Sequence, residues 1–270
     1  MKSILKKLKK LNILKTFGNI FVSYMPKIFI KKSDTFACIL ITEFNWGNIP
    51  IGIDEEYLQK RFELFDKYTF PSVNAQTDKD FTWVLMLNEK TPQKFKDILE
   101  NYKVKANVNI VLAYTGEDKG YPAGVISKYI NVNTKYLLTC RCDNDDMVAK
   151  NYIEKIKENF RPVHNTYIDF IRGYCLNTNT GTINTYKYRS CHFLGYIENL
   201  NIRNYETVLN HNHAMVKDYG FVRRIDNKSY PLWCEVIHET NQINQFQGSC
   251  ADEKYLKYFE EYFGQKISDK

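Results

Sequence analysis

Between residues 36 and 160 the chain alternates short, continuous apolar runs with segments whose apolar residues recur at helical spacing, and this alternation limits the fold more than any other feature. FACILITEF (36–44), DFTWVLMLNE (80–89), VNIVLAY (108–114) and the run at 135–142 have the length and continuity of strands covered on both faces. Residues 54–70 carry apolar side chains on one helical face behind Asp54, Glu55 and Glu56, acids favoured at a helix N-terminus. Residues 91–102 open with Thr91 as cap and Pro92 as first helical residue. Residues 123–133 carry a further helix into the fourth strand, and another is expected from near Met147 to about Phe160. Alternating strands and helices predict an α/β fold: a mainly parallel sheet flanked by helices, with right-handed crossovers.

Beyond Arg161 the pattern changes. YIDFIRGYCLNTNTGTINTYKY alternates like antiparallel strands joined at an Asn-Thr-Gly turn, and a mixed region then runs to a helix over 252–263. With no repeat or low-complexity linker between the halves, residues 34–270 read as one domain with a mixed C-terminal half. The seven cysteines are odd in number, lack a C-x-x-C pair and sit mostly in apolar runs, so they read as small buried hydrophobes rather than a disulfide or zinc framework.

The formal charge of +7 is not spread over this fold. Residues 1–33 hold nine lysines and no acid, which leaves the remainder at −2 and argues against a nucleic-acid footprint. Leu5, Leu8, Leu11 and Phe17 lie among those lysines, and Lys15, Pro26 and Lys27 break the apolar run below the ~20 residues of a transmembrane helix. The arm reads either as an interfacial segment for an anionic membrane surface or as a solvated helix packed on the body. The protein is expected in the cytoplasm, peripheral to the inner face of the cell membrane if the first reading holds.

The fourth apolar run ends in Asp143, Asn144, Asp145 and Asp146. In parallel α/β sheets, ligands bind beyond the carboxyl ends of the strands, so this cluster stands where a site is expected. Close carboxylates repel unless a cation, solvent or a helix N-terminus compensates them. One or two could cap the helix expected at Met147. Three suit a hard divalent ion, Mn²⁺ or Mg²⁺, that shares its remaining positions with substrate phosphates.

An Asp-x-Asp after the fourth strand is the pattern of GT-A glycosyltransferases. In order, FELFDKYTFPSVNAQTDKDFTWVLMLNEKTP, YLLTCRCDNDD and PLWCEVIHETN resemble three blocks of the bacterial putative rhamnosyl transferase family, over about residues 36–241. The most specific block is approximately Arg-x-Asp-Asn-Asp-Asp, met by Arg141, Asp143, Asn144, Asp145 and Asp146. The resemblance implies a GT-A-like fold in which Asp143 and Asp145 bind the metal and the nucleotide-diphosphate sugar donor, while Asp146 supports them or faces the donor sugar. His238 falls where many GT-A enzymes offer a later metal ligand, although the usual His-Gly is His238-Glu239 here.

Asn88 and Glu89, at the end of the second strand, are candidates for the base or ribose, and Lys128 and Arg141 for the diphosphate. Glu198 or Glu235 would serve as general base in an inverting reaction. His211 and His213 lack a second Cys or His pair at a supporting spacing, which favours a structural or acceptor-side role over a zinc site. The implied activity is transfer of a sugar to a hydroxyl of a glycan or lipid-linked glycan in bacterial surface-polysaccharide synthesis. The same acids would also serve a phosphoryl or nucleotidyl transferase, and the basic arm would suit a non-catalytic membrane-docked scaffold.

Overall fold

The computed structural model describes residues 35–46, 50–116, 122–130, 133–202, 206–241 and 244–265, so the basic arm and its membrane reading lie outside the described residues. The strands are β1 (Phe36–Glu43), β2 (Thr82–Asn88), β3 (Asn109–Thr115), β4 (Tyr136–Arg141), β5 (Met147–Val148), β6 (Thr166–Phe170), β7 (Arg172–Asn177), β8 (Ile183–Lys187), β9 (Gly195–Asn199), β10 (Phe221–Ile225), β11 (Trp233–Ile237) and β12 (Ser249–Cys250). The helices are α1 (Glu55–Leu64), α2 (Phe70–Asn74), α3 (Gln93–Lys105), α4 (Pro122–Ile126), α5 (Tyr152–Glu158), α6 (Val216–Tyr219) and α7 (Glu253–Phe263).

The larger sheet has seven strands in the order β10-β6-β9-β4-β1-β2-β3. Its neighbours are parallel except around β9, which runs antiparallel to both β4 and β6. Alternate residues of β1 enter different cores: Cys38 and Leu40 join one cluster with Trp83 and Leu85, while Ile39 and Ile41 join another with Val84 and Met86. That two-sided burial is why these strands read as unbroken apolar runs. The mainly parallel α/β reading and the mixed C-terminal half are both borne out.

A second sheet has five strands in the order β12-β8-β7-β11-β5. The expected hairpin is β7–β8, with Gly181 supplying the positive φ of 68° in its turn. Gly173 on β7 leaves room for Trp233 on the neighbouring β11, because a Cβ there would lie 2.1 Å from the indole.

Two local expectations are corrected. Thr91 does not cap α3; its hydroxyl donates to the Asn88 carbonyl (2.6 Å) and accepts from Asn45 Nδ2 (2.8 Å), and Pro92 occupies the cap. Met147 does not start a helix. Met147 and Val148 instead form β5, paired antiparallel with Cys234 and Trp233, and α5 begins only at Tyr152. All seven cysteines are free thiols, six of them buried. No described helix is long and apolar enough to cross a membrane.

Candidate functional site: an acidic cleft between two sheets

The strand order β3-β2-β1-β4 reverses direction between β1 and β4, and at such a switch point adjacent loops diverge and leave a crevice. The acidic loop starts there. Thr42 donates its hydroxyl to the Cys142 carbonyl (2.7 Å), and Asn144 Nδ2 donates to the Phe44 carbonyl (2.7 Å), which tie the loop to the carboxyl end of β1. The chain then leaves the large sheet and enters the small one as β5. No helix N-terminus directly follows these acids: β5 intervenes, and Asn151, at the cap position of α5, makes no side-chain cap bond. Capping therefore does not account for the cluster.

Cationic side chains meet the charge instead. Arg141 holds both oxygens of Asp143, with Nε and Nη2 at 2.7 and 3.1 Å, and also faces Glu43 at 3.3 Å. Burial would raise the Asp143 pKa, but the Arg141 and His192 charges win and hold it down to about 2. Asp145 receives Arg61 Nη1 from α1 and His238 Nε2 at 3.0 Å, and against its burial these partners keep its carboxyl below the usual range. The His238 ring is oriented by Thr240, whose hydroxyl lies 2.9 Å from Nδ1.

Asp146 is shut away, with 2% of its surface exposed. Its Oδ1 accepts the Val236 N–H (2.8 Å) from β11 and its Oδ2 faces His192 Nε2 (2.8 Å). Burial pushes Asp146 up to about 6 despite the imidazole. Burial alone would lower His192, yet Asp143 and Asp146 outweigh it and hold the ring up to about 9, so it is an imidazolium at neutral pH. The loop that carries His192 is fixed by Ser190, whose φ is 58° and whose N–H donates to the buried Asp169 (2.9 Å). Glu235 lies 3.8 Å from His192 Nδ1, and burial pushes its carboxyl up to about 7.

The cleft has a volume of about 310 Å³, and its lining includes Asn45, Trp46, Tyr57, Arg61, Asp143 and Asp145. An Asp-Asp-His cluster able to hold a metal is present: ligand atoms of Asp143, Asp146 and His192 lie within 4.8 Å of one another. Asp145 and His238 pair on the same cleft, at 3.0 Å, without forming a three-ligand set of that kind among the described residues.

The expected residues are brought together unevenly. Arg141, Asp143 and Asp145 line the cleft, and His238 reaches it through Asp145. Asn88 ends β2 as expected, but its side chain is buried; its backbone N–H donates to Asn45 Oδ1 (3.2 Å) behind the cleft wall. Glu89 is exposed, with its carboxylate close to Gly116. Lys128 is exposed on the 3₁₀ turn Ser127–Tyr129 and does not line the cleft.

Glu198 does not join the site. Because β9 runs antiparallel, Glu198 pairs with Leu137 at the amino end of β4, where its carboxylate meets His164 at 2.9 Å. His211 and His213 diverge, one to the Tyr167 hydroxyl (3.0 Å) and the other to the Ser190 carbonyl (2.7 Å). Arg61 and His192 were not anticipated as partners of the acids; nothing at their positions in the sequence marks them, because each meets its partner only through long-range folding.

Fold and site together define an α/β protein with a metal-capable acidic cleft at the carboxyl ends of its parallel strands. Residues 49–249 match the family model described as "Putative rhamnosyl transferase", and the chain belongs to that family, a glycosyltransferase family. No curated protein matches the chain. Among solved structures, it is similar to 4-diphosphocytidyl-2C-methyl-D-erythritol synthase from Anaerococcus prevotii (9% identity, 72% of this chain and 89% of that one, TM-score 0.37). It is also similar to residues 1–349 of S. aureus TarS (14% identity, TM-score 0.38), with 75% of this chain covering 60% of that one. HddC from Yersinia pseudotuberculosis shares 11% identity over 74% of this chain and 89% of its own, at a TM-score of 0.28. At these TM-scores the structural likenesses carry no weight, and the family assignment rests on the sequence match.

Proposed function

We propose that this chain is a GT-A-type glycosyltransferase that moves a sugar from a nucleotide-diphosphate donor, bound with Mn²⁺ or Mg²⁺ in the acidic cleft, to a hydroxyl of a glycan or lipid-linked glycan acceptor in bacterial surface-polysaccharide synthesis. The observation that carries this reading is the convergence of Arg61, His238 and the Asp143–Asp145 acids on one cleft at the β1/β4 switch point. The residues fit a divalent ion. Two hard carboxylates and one imidazole suit Mn²⁺ or Mg²⁺, and the Thr240 contact to His238 Nδ1 leaves Nε2 facing the acids. Asp143, Asp145 and His238 would hold it. The cluster of Asp143, Asp146 and His192 offers the same donor chemistry, since metal binding releases the ligand proton.

When bound, the ion acts as a Lewis acid on the leaving diphosphate. Arg61 and Arg141 lie beside the acids and can turn guanidinium N–H groups toward phosphate oxygens. Asp146 and His192 support the floor beneath them. For an inverting transfer, Glu235 would take the acceptor proton, since burial raises its carboxyl to about 7, near the pH at which a general base works. Contact of residues 1–33 with anionic lipid belongs to the same proposal; their removal should reduce sedimentation with anionic vesicles.

The test is a thermal-shift screen of UDP, GDP, CDP and dTDP with Mn²⁺, Mg²⁺ or EDTA, on wild type and Asp145→Asn, followed by product analysis with the preferred donor. Stabilisation by one base, dependent on the metal and lost in Asp145→Asn, supports the reading, because a ligand selective for the native state contributes ~2.7 kcal/mol at a hundred times its Kd. Release of a sugar phosphate rather than nucleoside diphosphate would assign the cleft to nucleotidyl transfer. Absence of any shift would remove the donor.

A further inference from the structure

Arg61 lies in the last turn of α1 and meets the acidic loop across more than 80 residues of sequence. Its Nη1 donates to Asp145 Oδ2 and lies 3.3 Å from Asn144 Oδ1, while its Nε donates to the Tyr57 hydroxyl (3.1 Å). Nη2 makes no hydrogen bond among the described residues. The oxygen that Arg61 takes is also the one that faces His238 Nε2, at 3.0 Å. Arg61 thus rests on the carboxylate where a divalent ion would be held.

The other guanidinium of the cleft is more firmly engaged. Arg141 closes on both oxygens of Asp143 and also faces Glu43, so its N–H groups are divided between two acids. Among the described residues Arg61 pairs with one acid, Asp145, and 14% of its side chain stays exposed. Along the cleft wall, Glu43, Asp143 and Asp145 face Arg61 and Arg141, a surplus of one negative charge. That surplus is small for a bare divalent ion, which the Arg61 guanidinium would repel across a shared carboxylate. A diphosphate reverses the balance: its oxygens can bridge the ion and the guanidinium, so that each then favours the other.

We propose that Arg61 is a specificity-determining residue that makes the cleft select the complex of ion and diphosphate over the free ion. Without ligand it serves as the resident cation of Asp145. When ion and diphosphate enter together, its guanidinium turns from Asp145 to a phosphate oxygen, with Nη2 already available for the contact. The inference rests on the reading in which Asp145 holds the ion.

Mn²⁺ binding to the full chain, followed by electron paramagnetic resonance without nucleotide, tests this together with calorimetry of UDP, GDP, CDP and dTDP at saturating Mn²⁺. The proteins compared are wild type, Arg61→Gln and Arg61→Lys. Arg61→Gln should bind Mn²⁺ alone about tenfold more tightly than wild type, and the best of the four diphosphates about tenfold more weakly. Arg61→Lys keeps the charge and should stay within about threefold of wild type for Mn²⁺ alone. The two shifts of opposite sign are the signature, since a merely structural loss at α1 would weaken both ligands together. Mn²⁺ binding by Arg61→Gln that equals or falls below wild type overturns the role of Arg61, as does an equal gain in Arg61→Lys, and either result leaves the donor reading standing. Failure of all three proteins to bind any of the four diphosphates with Mn²⁺ overturns both.

Discussion

Glu235→Gln should make the protein more stable at mildly alkaline pH, although it removes a side chain from the centre of the molecule. Glu235 is 7% exposed, and burial lifts its carboxyl from 4.5 to about 7 even with His192 nearby. An acid whose folded pKa exceeds its unfolded value keeps its proton longer in the native state, so the native state loses stability as pH rises from the unfolded to the folded pKa. A difference of about 2.5 units corresponds to ~3 kcal/mol at most, and sharing of protons with His192 and Asp146 brings the expectation to ~1–3 kcal/mol. Glutamine has nearly the same volume and no charge to desolvate. Urea denaturation of wild type and variant should give closely similar stabilities near pH ~4, where both side chains are neutral, and a gap favouring the variant that opens through pH ~7 and then stays constant. A variant less stable than wild type at pH ~8, or a gap that ignores pH, would refute the view that Glu235 is held against its burial.

Three further outcomes follow from contacts already described. Gly173→Ala should lower the urea midpoint by the equivalent of ~1–3 kcal/mol, since its Cβ would meet a fully buried Trp233 ring that has no space to retreat. Arg61→Ala removes a guanidinium that faces Asp145 and should weaken binding of the preferred nucleoside diphosphate with Mn²⁺ about tenfold in isothermal calorimetry, with little change in the urea slope. Native protein should react with a thiol reagent such as Ellman's at Cys250 alone, while the other six thiols titrate only after unfolding; rapid labelling of more than one would contradict the burial of Cys38, Cys140, Cys142, Cys175, Cys191 and Cys234.

Local chemistry made the first half of the fold legible. The apolar runs of β1 to β4 are continuous because both faces of the large sheet are covered, and the acid-rich start of α1 is confirmed by Asp54, whose carboxylate accepts the Tyr57 N–H at 2.8 Å. What failed depended on partners far away in the sequence. Met147 and Val148 favour no helix because Trp233 and Cys234, more than 80 residues later, recruit them into a strand. Glu198 read as a possible base because a strand's composition does not reveal its direction, and the antiparallel course of β9 carries the side chain to the wrong end of β4. The acids themselves were visible, and so was His238. Their buried counterparts, Arg61 and His192, sit in ordinary-looking segments and acquire their roles only when α1 and the loop before β9 close over β4.

The path of the acidic loop has a consequence for how such a molecule assembles. Asp143 is gripped by Arg141 at the end of a strand in the seven-stranded sheet, whereas Asp146 is gripped by the Val236 amide in the five-stranded one, and residues 142–146 bridge the two sheets. A folding intermediate with only the first sheet formed would hold Asp143 in place but leave Asp146 without its Val236 partner and Asp145 without His238. Ligand affinity would thus arise in a single late step, and any ligand of the cleft would act as a clasp that slows the parting of the two sheets, detectable as slowed hydrogen exchange in β5 and β11 together rather than in either alone.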